Sequence, residues 1–455
     1  MDETKRQIFE QTPIPRAVSI LVVPSVVSQL ITILYNMADI FFVGKLNDPE
    51  QVAAVSMAAP AMLMFPVMAN LLGIGGSGTA SRAMGGHQID RARDTACFCL
   101  YATLLTALVF TAVGILFRNP ILRLLGTAKT PNAYLGDYFF WVFTLGAIPS
   151  LLSLVLSHLV RADGAARLAG NVLSAGGILN LLLDPLFIFG LRMGVKGAAV
   201  ATFLSNVFTF VVFSRYLLRH RNSFLSLEPG RLWAWKSVCP EVLRSGLPSM
   251  LQTLLAAVSN AMLNVLSASY GSEAVAAFGI VKKLDQIPTN ITIGISQGIV
   301  PLAAYNYSAN RYGRMRAALS WALLFSVCIS LICTLCYELF PAFFVGLFIR
   351  EGVTVVCGSR VLRIMCLATP LLSVSFVVIT AFQTTGFFWQ GTLLSLLRRG
   401  ILEIPIMLLA NRILPLTGLA FAQPITEGIT MALSMALFFR YLITGLSSGE
   451  GKPCN

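Results

Sequence analysis

Charged residues are scarce in this chain. Lys, Arg, Asp and Glu make up only 12% of its 455 residues, whereas soluble domains carry about 25%. Hydrophobic residues make up 56%. Apolar runs of ~18 residues or more, long enough to cross a bilayer as a helix, recur along most of the chain. This composition excludes an ordinary soluble domain, and we predict an all-α integral membrane protein.

The residues that would indicate an enzyme or an ATP-driven machine are also missing. The histidines are His87, His158 and His220, and none has partners at metal-ligand or catalytic spacing. The glycine-rich stretch "GIGGSGTAS" (73–81) lacks the Lys-Ser/Thr pair of a P-loop. The nine cysteines lie mostly in apolar runs and show no disulfide framework. We therefore predict a non-enzymatic protein without a cofactor.

The chain contains instead a series of twelve apolar segments. Its N-terminus is polar and mixed in charge, and the first apolar run is too long for a signal peptide, so we expect the first helix to direct insertion itself. The uncharged run 364–397 is too long for one helix, and we divide it at "QTTG" (383–386). The predicted spans are 17–44, 52–81, 95–117, 138–160, 168–191, 197–214, 245–272, 275–310, 317–337, 358–382, 387–411 and 416–439.

The distribution of basic residues indicates a membrane topology. The net charge is +13, but with the N-terminus inside the cell most Lys and Arg residues fall in the inner loops, which is the positive-inside bias. The charge therefore indicates contact with anionic membrane lipid rather than with nucleic acid. We expect a multi-pass protein of the cell inner (plasma) membrane with both termini in the cytoplasm. Nothing in the sequence suggests a protein partner, so we expect a monomer.

The two halves of the chain repeat one another. "PSVVSQLITILYNMADIFFVG" begins at Pro24, and "PSMLQTLLAAVSNAMLNVLSA" begins at Pro248. Each half contains six spans, so both start on the same side of the membrane, related by a pseudo-two-fold axis along the membrane normal. We predict an N-lobe over 1–220, a cytoplasmic connector over 221–240 and a C-lobe over 241–455. Transporters with such repeats bind substrate between the repeats and alternate access by moving them.

Two acids lie inside predicted spans of the first half. Asp184 interrupts "ILNLLLDPLFIFG" (178–190), and Asp39 lies late in the first span. Counting ~1.5 Å per residue from the inner ends puts both in the outer half of the bilayer. A carboxylate at mid-bilayer costs ~2.5–3.5 kcal/mol, somewhat less off-centre. Two such residues at one depth indicate a polar cavity with a function. The alternative is that Asp184 only stabilises the helix break at Pro185.

Polar residues accompany the two acids at helical spacing and at similar depth. They are Tyr35, Asn36, Asn180, Thr202 and Asn206. Tyr35 and Asn36 precede Asp39 by four and three residues, which places them on its helix face. Oxygen-rich side chains around two carboxylates can coordinate Na⁺ or hold a proton. We predict a site for a transported H⁺ or Na⁺ here.

Charged residues also lie inside the predicted spans of the second half. They are Lys282, Lys283, Asp285, Arg398, Arg399, Glu403 and Glu427. Several are three or four positions apart and could pair as an ion-pair network that stabilises this half. Alternatively, the basic residues face the cavity and bind an anionic group of the substrate, or exchange acid partners during the cycle. The sequence supports both interpretations.

Several motifs in chain order resemble the multidrug and toxic compound extrusion (MATE) transporter family over essentially the whole length. They are the first-span stretch that begins at Pro24, "GIGGSGTASRAMGGHQIDRAR", "RADG", "NLLLDPLFIFG", "GAAVAT" and "GISQGIVPLAAYNYSA". The pattern is most similar to the bacterial DinF-like branch, near its MepA-like members.

The resemblance implies a twelve-helix, two-lobe antiporter that exports amphipathic, often cationic compounds against inward H⁺ or Na⁺, and hence a role in antibiotic resistance. In the DinF-like branch, the residues that match Asp39, Asn180, Asp184 and Thr202 form the cation site of the N-lobe. Other branches use a glutamate in the seventh helix. Here "PSMLQTLLAAVSN" has none, so we expect coupling through the N-lobe.

Other classes fit the sequence less well. The major facilitator loop after the second helix matches "SRAMGGHQIDRAR" poorly, and lipid-linked sugar flippases tend to have more helices than this chain has room for. The basic second half leaves one alternative function, a dedicated exporter or flippase for an anionic or zwitterionic natural product or lipid-linked precursor. An intramembrane enzyme is disfavoured because no catalytic constellation is visible.

Overall fold

The fold is built from helices. A computed structural model describes residues 3–46, 48–127, 133–220, 223–225, 228–349 and 351–445, and within them every regular element is helical. Each predicted span corresponds to a helical segment, and we number these segments in chain order. They are α1 (Ile14–Gly44), α2 (Pro49–Gly85), α3 (Ile89–Leu116), α4 (Tyr134–Leu145 and Ala147–Ala162), α5 (Ala166–Gly190), α6 (Val195–Arg219), α7 (Trp235–Ala268), α8 (Ser272–Ser308), α9 (Tyr312–Leu339), α10 (Gly352–Thr385), α11 (Phe388–Leu396 and Glu403–Ile413) and α12 (Thr417–Phe438).

Most of these segments are apolar enough to cross a membrane. Among the described residues, eight helices pass by length and composition, and the bent segment α4 makes a ninth. The other three predicted spans, α8, α11 and α12, are the ones that carry the charged residues of the second half. On α9, Leu331, Ile332, Leu335 and Leu339 are between 51% and 61% exposed. A row of exposed large apolar side chains is the surface that lipid would cover.

Several of the segments are interrupted, among them α4, α5 and α11. α4 bends by 48° between its two parts. α5 ends in a wider π-helical turn, Leu186–Gly190, directly after Pro185, which cannot donate a backbone hydrogen bond. α11 contains a similar turn at Leu397–Ile401. Both π-helical turns lie next to charged residues inside the predicted spans.

The chain divides into two compact units. Unit 1 comprises Val27–Gly246 with the N-terminal segment up to Gln11, and unit 2 comprises the chain from Leu247 onwards with Thr12–Val26. This division differs from the predicted lobes at two places. The first part of α1 belongs to unit 2, and the connector with the start of α7 belongs to unit 1. Residues 221–222 and 226–227 of the predicted connector lie outside the described residues.

Glycines account for this exchange of helix ends. A Cβ at Gly298 of α8 would lie 2.8 Å from the Cα of Val22, so the first part of α1 approaches α8 backbone to backbone. A Cβ at Gly246 of α7 would collide with the backbone carbonyl of Leu71 in α2. Small residues allow this close packing between membrane helices. The start of α1 is therefore packed within unit 2, and the start of α7 is packed within unit 1.

The connector is bound to unit 1 by one arginine. Arg231, in a short 3₁₀ helix before α7, donates from Nε to Glu228 at 2.8 Å and from Nη1 and Nη2 to Asp94 and Asp90, both at 3.1 Å. Glu228 and Asp94 are the main reason that the pKa of Arg231 lies above its usual value. The nearby Trp233 is 90% exposed, as expected of an anchor at the membrane surface.

We expect Gly246→Ala to lower the free energy of unfolding by about 1–3 kcal/mol, because its methyl group would overlap the Leu71 carbonyl. The measurement is thermal unfolding of the detergent-solubilised protein. Gly279→Ala on α8 is the matched control, since a Cβ there meets nothing within 4 Å. Equal unfolding temperatures for the two variants would contradict the close contact.

Candidate functional site

Two carboxyl groups face each other in unit 1. Asp39 lies on the part of α1 that belongs to unit 1, and Asp184 lies on α5 just before Pro185. Asp184 is fully buried and Asp39 is partly buried. The two carboxyl groups lie within hydrogen-bonding reach of each other, and neither oxygen of Asp184 has a donor among the described residues. Two such groups cannot both stay ionised without a proton or a cation between them.

Asn180 connects this pair to α6. It is buried one turn before Asp184, and its amide can take two orientations. In one, Nδ2 donates to Thr202 Oγ1 at 3.3 Å. In the other, Nδ2 donates to Asp39 Oδ1 at 3.1 Å, and the amide oxygen accepts from the Thr202 backbone N–H at 3.3 Å. The second orientation is the better assignment because it gives the Asp39 carboxylate a donor. The structure thus brings the four predicted cation-site residues together.

Two adjacent glycines on α5 allow this convergence. A Cβ at Gly177 would lie 2.7 Å from Ile31 Cγ2 and 3.0 Å from Tyr35 Cδ1, so α1 packs directly on α5. A Cβ at Gly176 would collide with the methyl group of Thr209 on α6. The pair of glycines therefore brings α1 and α6 onto α5 just below the level of Asn180.

The three residues predicted to line the cavity, Tyr35, Asn36 and Asn206, differ in burial and in their contacts. Tyr35 is partly buried and close enough to Asp39 for an electrostatic interaction. Asn36 is exposed. Asn206 donates from Nδ2 to Ser150 Oγ of α4 at 2.8 Å. The structure therefore places Tyr35 beside the carboxyl pair and uses Asn206 to join α6 to α4.

Tyr138 was not predicted from the sequence. This residue of α4 is 7% exposed, and its phenol is close enough to interact electrostatically with Asp39, Asp184 and Tyr35. It is far from both acids in the chain, and no periodic pattern connects it with them. A phenol carries an O–H group that can donate a hydrogen bond to a carboxyl group. We therefore add Tyr138 to the candidate site.

A second polar cluster lies in unit 2, around the π-helical turn of α11. Arg398 Nε lies 2.8 and 2.9 Å from the two carboxylate oxygens of Glu427, and its guanidinium lies 4.2 Å from the ring centroid of Phe376. Arg399 donates to the two oxygens of Glu403 at 3.0 and 3.2 Å. None of these four charged side chains is more than 10% exposed. Each arginine is thus paired with an acid inside the protein.

Lys282 of α8 lies beside the same cluster. Its Nζ donates to Gln423 Oε1 at 2.8 Å, and Gln423 Nε2 donates to Asp285 Oδ2 at 3.1 Å. The cluster therefore contains all of the charged residues predicted in this half except Lys283, which is exposed. Gln423 was not predicted, although it precedes Glu427 by four residues on α12 and therefore shares its helix face.

The described residues offer no conventional metal centre. No group of three or more His, Cys, Asp or Glu side chains in that part of the chain converges on a position where it could bind a metal ion. The donors of unit 1 are two carboxyl groups, an amide and a hydroxyl. Such a set can hold a proton or an alkali cation by oxygen atoms alone.

The two halves of the chain also match a known protein family. The MatE family model matches residues 24–186 and 248–409, more than half of the chain. The chain belongs to the MatE family. The two matched segments begin at the same two prolines as the repeated motifs of the sequence.

Curated relatives of this MatE chain are multidrug export proteins by name. MepA of Staphylococcus aureus (strain NCTC 8325 / PS 47) is 28% identical over 446 residues, which cover 96% of each chain. MepA of Staphylococcus haemolyticus is 28% identical over 437 residues, which cover 95% of this chain and 94% of the relative.

Solved structures show the same fold. A MATE transporter in complex with MaL6 superimposes with a TM-score of 0.91 at 22% identity over 98% of this chain and 100% of that one. A transporter of the MOP superfamily from Pyrococcus furiosus, described by a binding pocket of reverse polarity, gives a TM-score of 0.90 at 22% identity over 98% and 99%. The predicted resemblance and the all-α, two-lobe MATE fold are confirmed. The chain is a multi-pass membrane protein of a transporter family.

We expect Glu427→Gln to lower the free energy of unfolding by about 3–5 kcal/mol, because the buried guanidinium of Arg398 would lose its carboxylate partner. Chemical unfolding in detergent measures the change. Glu228→Gln is the control: this side chain is 68% exposed in its pair with Arg231, and such pairs contribute less than about 1 kcal/mol. A loss for Glu427→Gln no larger than that of the control would show that the Arg398 pair does not stabilise the fold.

Proposed function

We propose that this chain is a cation-coupled antiporter that exports amphipathic, mainly cationic drugs or toxic compounds by alternating access. The observation that carries the proposal is the pair Asp39 and Asp184, two carboxyl groups within hydrogen-bonding reach, with no donor on Asp184 among the described residues. Its MepA relatives are multidrug export proteins by name. The positive-inside bias supports both termini in the cytoplasm.

In the proposed mechanism, the cationic cargo and the coupling ion compete for the same pair of carboxyl groups. With the pair ionised, unit 1 presents negative charge inside the membrane and attracts a cationic cargo. Binding of the coupling ion between Asp39 and Asp184 neutralises that charge and weakens the attraction. The same carboxyl groups therefore serve either the cargo or the ion, and use of one site by two ligands in turn produces antiport.

A proton fits this pair better than Na⁺. One proton shared between two facing carboxyl groups satisfies both and needs no further ligand. A bound Na⁺ would need several oxygen ligands around it, whereas Asn180 already uses its amide between Asp39 and Thr202. We therefore propose H⁺ as the coupling ion, with Na⁺ as the alternative that the transport assay below distinguishes.

A dedicated exporter or flippase for an anionic or zwitterionic natural product or lipid-linked precursor is the second candidate function. The supporting observation is the basic cluster of unit 2, in which Lys282 contacts the neutral amide of Gln423. A related transporter from Pyrococcus furiosus is described by a binding pocket of reverse polarity. Under this alternative the purified protein would move anionic compounds and leave cationic dyes untouched.

We expect Asp39→Asn and Asp184→Asn each to reduce gradient-driven ethidium export from proteoliposomes to the level of empty liposomes, because an amide cannot exchange a proton. A pH gradient and a Na⁺ gradient are imposed separately, and only the pH gradient should drive export. Asp137→Asn is the matched control. It removes a carboxyl group of unit 1 that is 53% exposed and lies 3.7 Å from Lys196, and it should export like the parent.

Gradient-dependent export by the double variant Asp39→Asn, Asp184→Asn would overturn coupling through this pair. Export driven by Na⁺ alone, and lost in the same variants, would keep the site and replace the ion. An absence of ethidium movement in the parent under both gradients would favour the second candidate function.

A further inference from the structure

The cations of the unit 2 cluster differ in how they are neutralised. Each arginine has a carboxylate partner at hydrogen-bonding distance: Glu427 for Arg398 and Glu403 for Arg399. A further contact of 3.9 Å joins Arg399 Nη2 to Glu427. The two arginines and two glutamates are nearly inaccessible. Each arginine is therefore neutralised by a glutamate, which explains this part of the cluster as structural support, although Arg398 Nη1 and Nη2 have no hydrogen-bond partner among the described residues.

Lys282 has no such partner. Its Nζ contacts the neutral amide oxygen of Gln423, and no carboxylate of the described residues lies within 4.0 Å of it. Asp285, one helical turn further along α8, could have paired with it directly. Instead the far end of the Gln423 amide binds Asp285 Oδ2, while Asp285 Oδ1 has no hydrogen-bond partner among the described residues. The glutamine therefore keeps the lysine and the aspartate apart.

The ammonium group of Lys282 retains capacity for a ligand. An ammonium carries three N–H donors, and Gln423 accepts one of them. Lys282 is only partly buried, in contrast to the arginines beside it. It lies about 15 Å along α8 from Ser272 at ~1.5 Å per residue. Asp285, Glu403 and Glu427 provide negative charge around Lys282, but none of these three acids forms an ion pair with its Nζ within 4.0 Å.

The neighbouring lysine provides an internal comparison. Lys283 is the next residue on α8 and is exposed. Successive residues of an α-helix point about 100° apart, so the two side chains leave the helix in different directions. Lys282 interacts electrostatically with Asp285, Glu403, Arg399 and Glu427, which places it on the cluster side of the helix. The same charge thus occurs at adjacent positions in two different environments.

We propose that Lys282, held in place by Gln423, binds a carboxylate group of the cargo, so that unit 2 selects zwitterionic amphiphiles in addition to the purely cationic ones. The inference rests on the export function proposed above. It adds a specificity-determining residue and names the class of compound that this residue recognises.

Two dyes with the same chromophore test the proposal. Tetramethylrhodamine has a free carboxylate and is zwitterionic, and its methyl ester is a simple cation. Export of each is measured in proteoliposomes under a pH gradient. Lys282→Gln should lower the initial rate for the free acid by about tenfold or more, because one partner of a buried charge pair is lost. Export of the ester should stay within about twofold of the parent.

Three further variants complete the test. Lys283→Gln is the matched control and should export both dyes like the parent. Lys282→Arg keeps the charge and should retain most of the free-acid export. Gln423→Glu keeps the lysine but gives it an internal carboxylate, so it should lose free-acid export while the ester is still exported. This variant keeps the proposal testable if Lys282→Gln does not fold.

The outcomes separate this inference from the proposed function. Ester export by the parent reports on the antiporter itself, and the ratio of free-acid to ester export reports on Lys282. An equal loss of both dyes in Lys282→Gln, or no loss of either, would overturn the inference and leave the antiporter in place. If the parent exports neither dye, fluorescence anisotropy in detergent decides. The parent should then bind the free acid about tenfold more tightly than Lys282→Gln does, and equal binding would overturn the inference.

Discussion

Two carboxyl groups in a membrane protein, placed so that one ion must accompany them, are the constraint on which unit 1 depends. Asp184 is fully buried without a hydrogen-bond donor among the described residues, and Asp39 faces it. The packing around them serves this placement: the glycines of α5 admit α1 and α6, and Asn180 links the three helices. The pair is unfavourable when fully ionised. A proton or cation that binds between the two carboxyl groups therefore also stabilises the packing of the helices that carry them.

The starts of α1 and α7 each pack closely on another helix at a glycine. The start of α1 lies against α8 in unit 2, and the start of α7 lies against α2 in unit 1, in each case where a glycine leaves no side chain between the backbones. The two exchanged ends occupy similar positions in the repeat: the exchanged part of α1 ends at Val26, two residues after Pro24, and that of α7 ends at Gly246, two residues before Pro248. An early duplication of one six-helix segment would produce this correspondence, and the exchange makes each unit incomplete without the first turns of a helix from the other half of the chain.

The sequence predicts the fold well and the site in part. Low charge and long apolar runs are strong constraints, so the twelve segments and the MATE fold follow from them and from the motifs. Asp39, Asn180, Asp184 and Thr202 could be grouped because depth and helix face are readable from residue number. Tyr138 could not, since it reaches the acids from another helix and contact across helices leaves no periodic trace. Gln423 could have been found from its position four residues before Glu427, but its bonds to Lys282 and Asp285 on α8 could not. The placement of Asn206 on Ser150 and the exchange of helix ends have the same origin: both depend on which helices are adjacent.

The cluster of unit 2 contains equal numbers of cations and anions: Lys282, Arg398 and Arg399 against Asp285, Glu403 and Glu427. A charge that crosses the membrane potential gains or loses about 2.3 kcal/mol per 100 mV, but a group of zero net charge that moves as one body exchanges no energy with that field. Movement of this cluster during a transport cycle is therefore insensitive to voltage. In the antiport cycle that we propose, the electrical component falls on unit 1, where the protonation state of one carboxyl pair sets the charge that is carried.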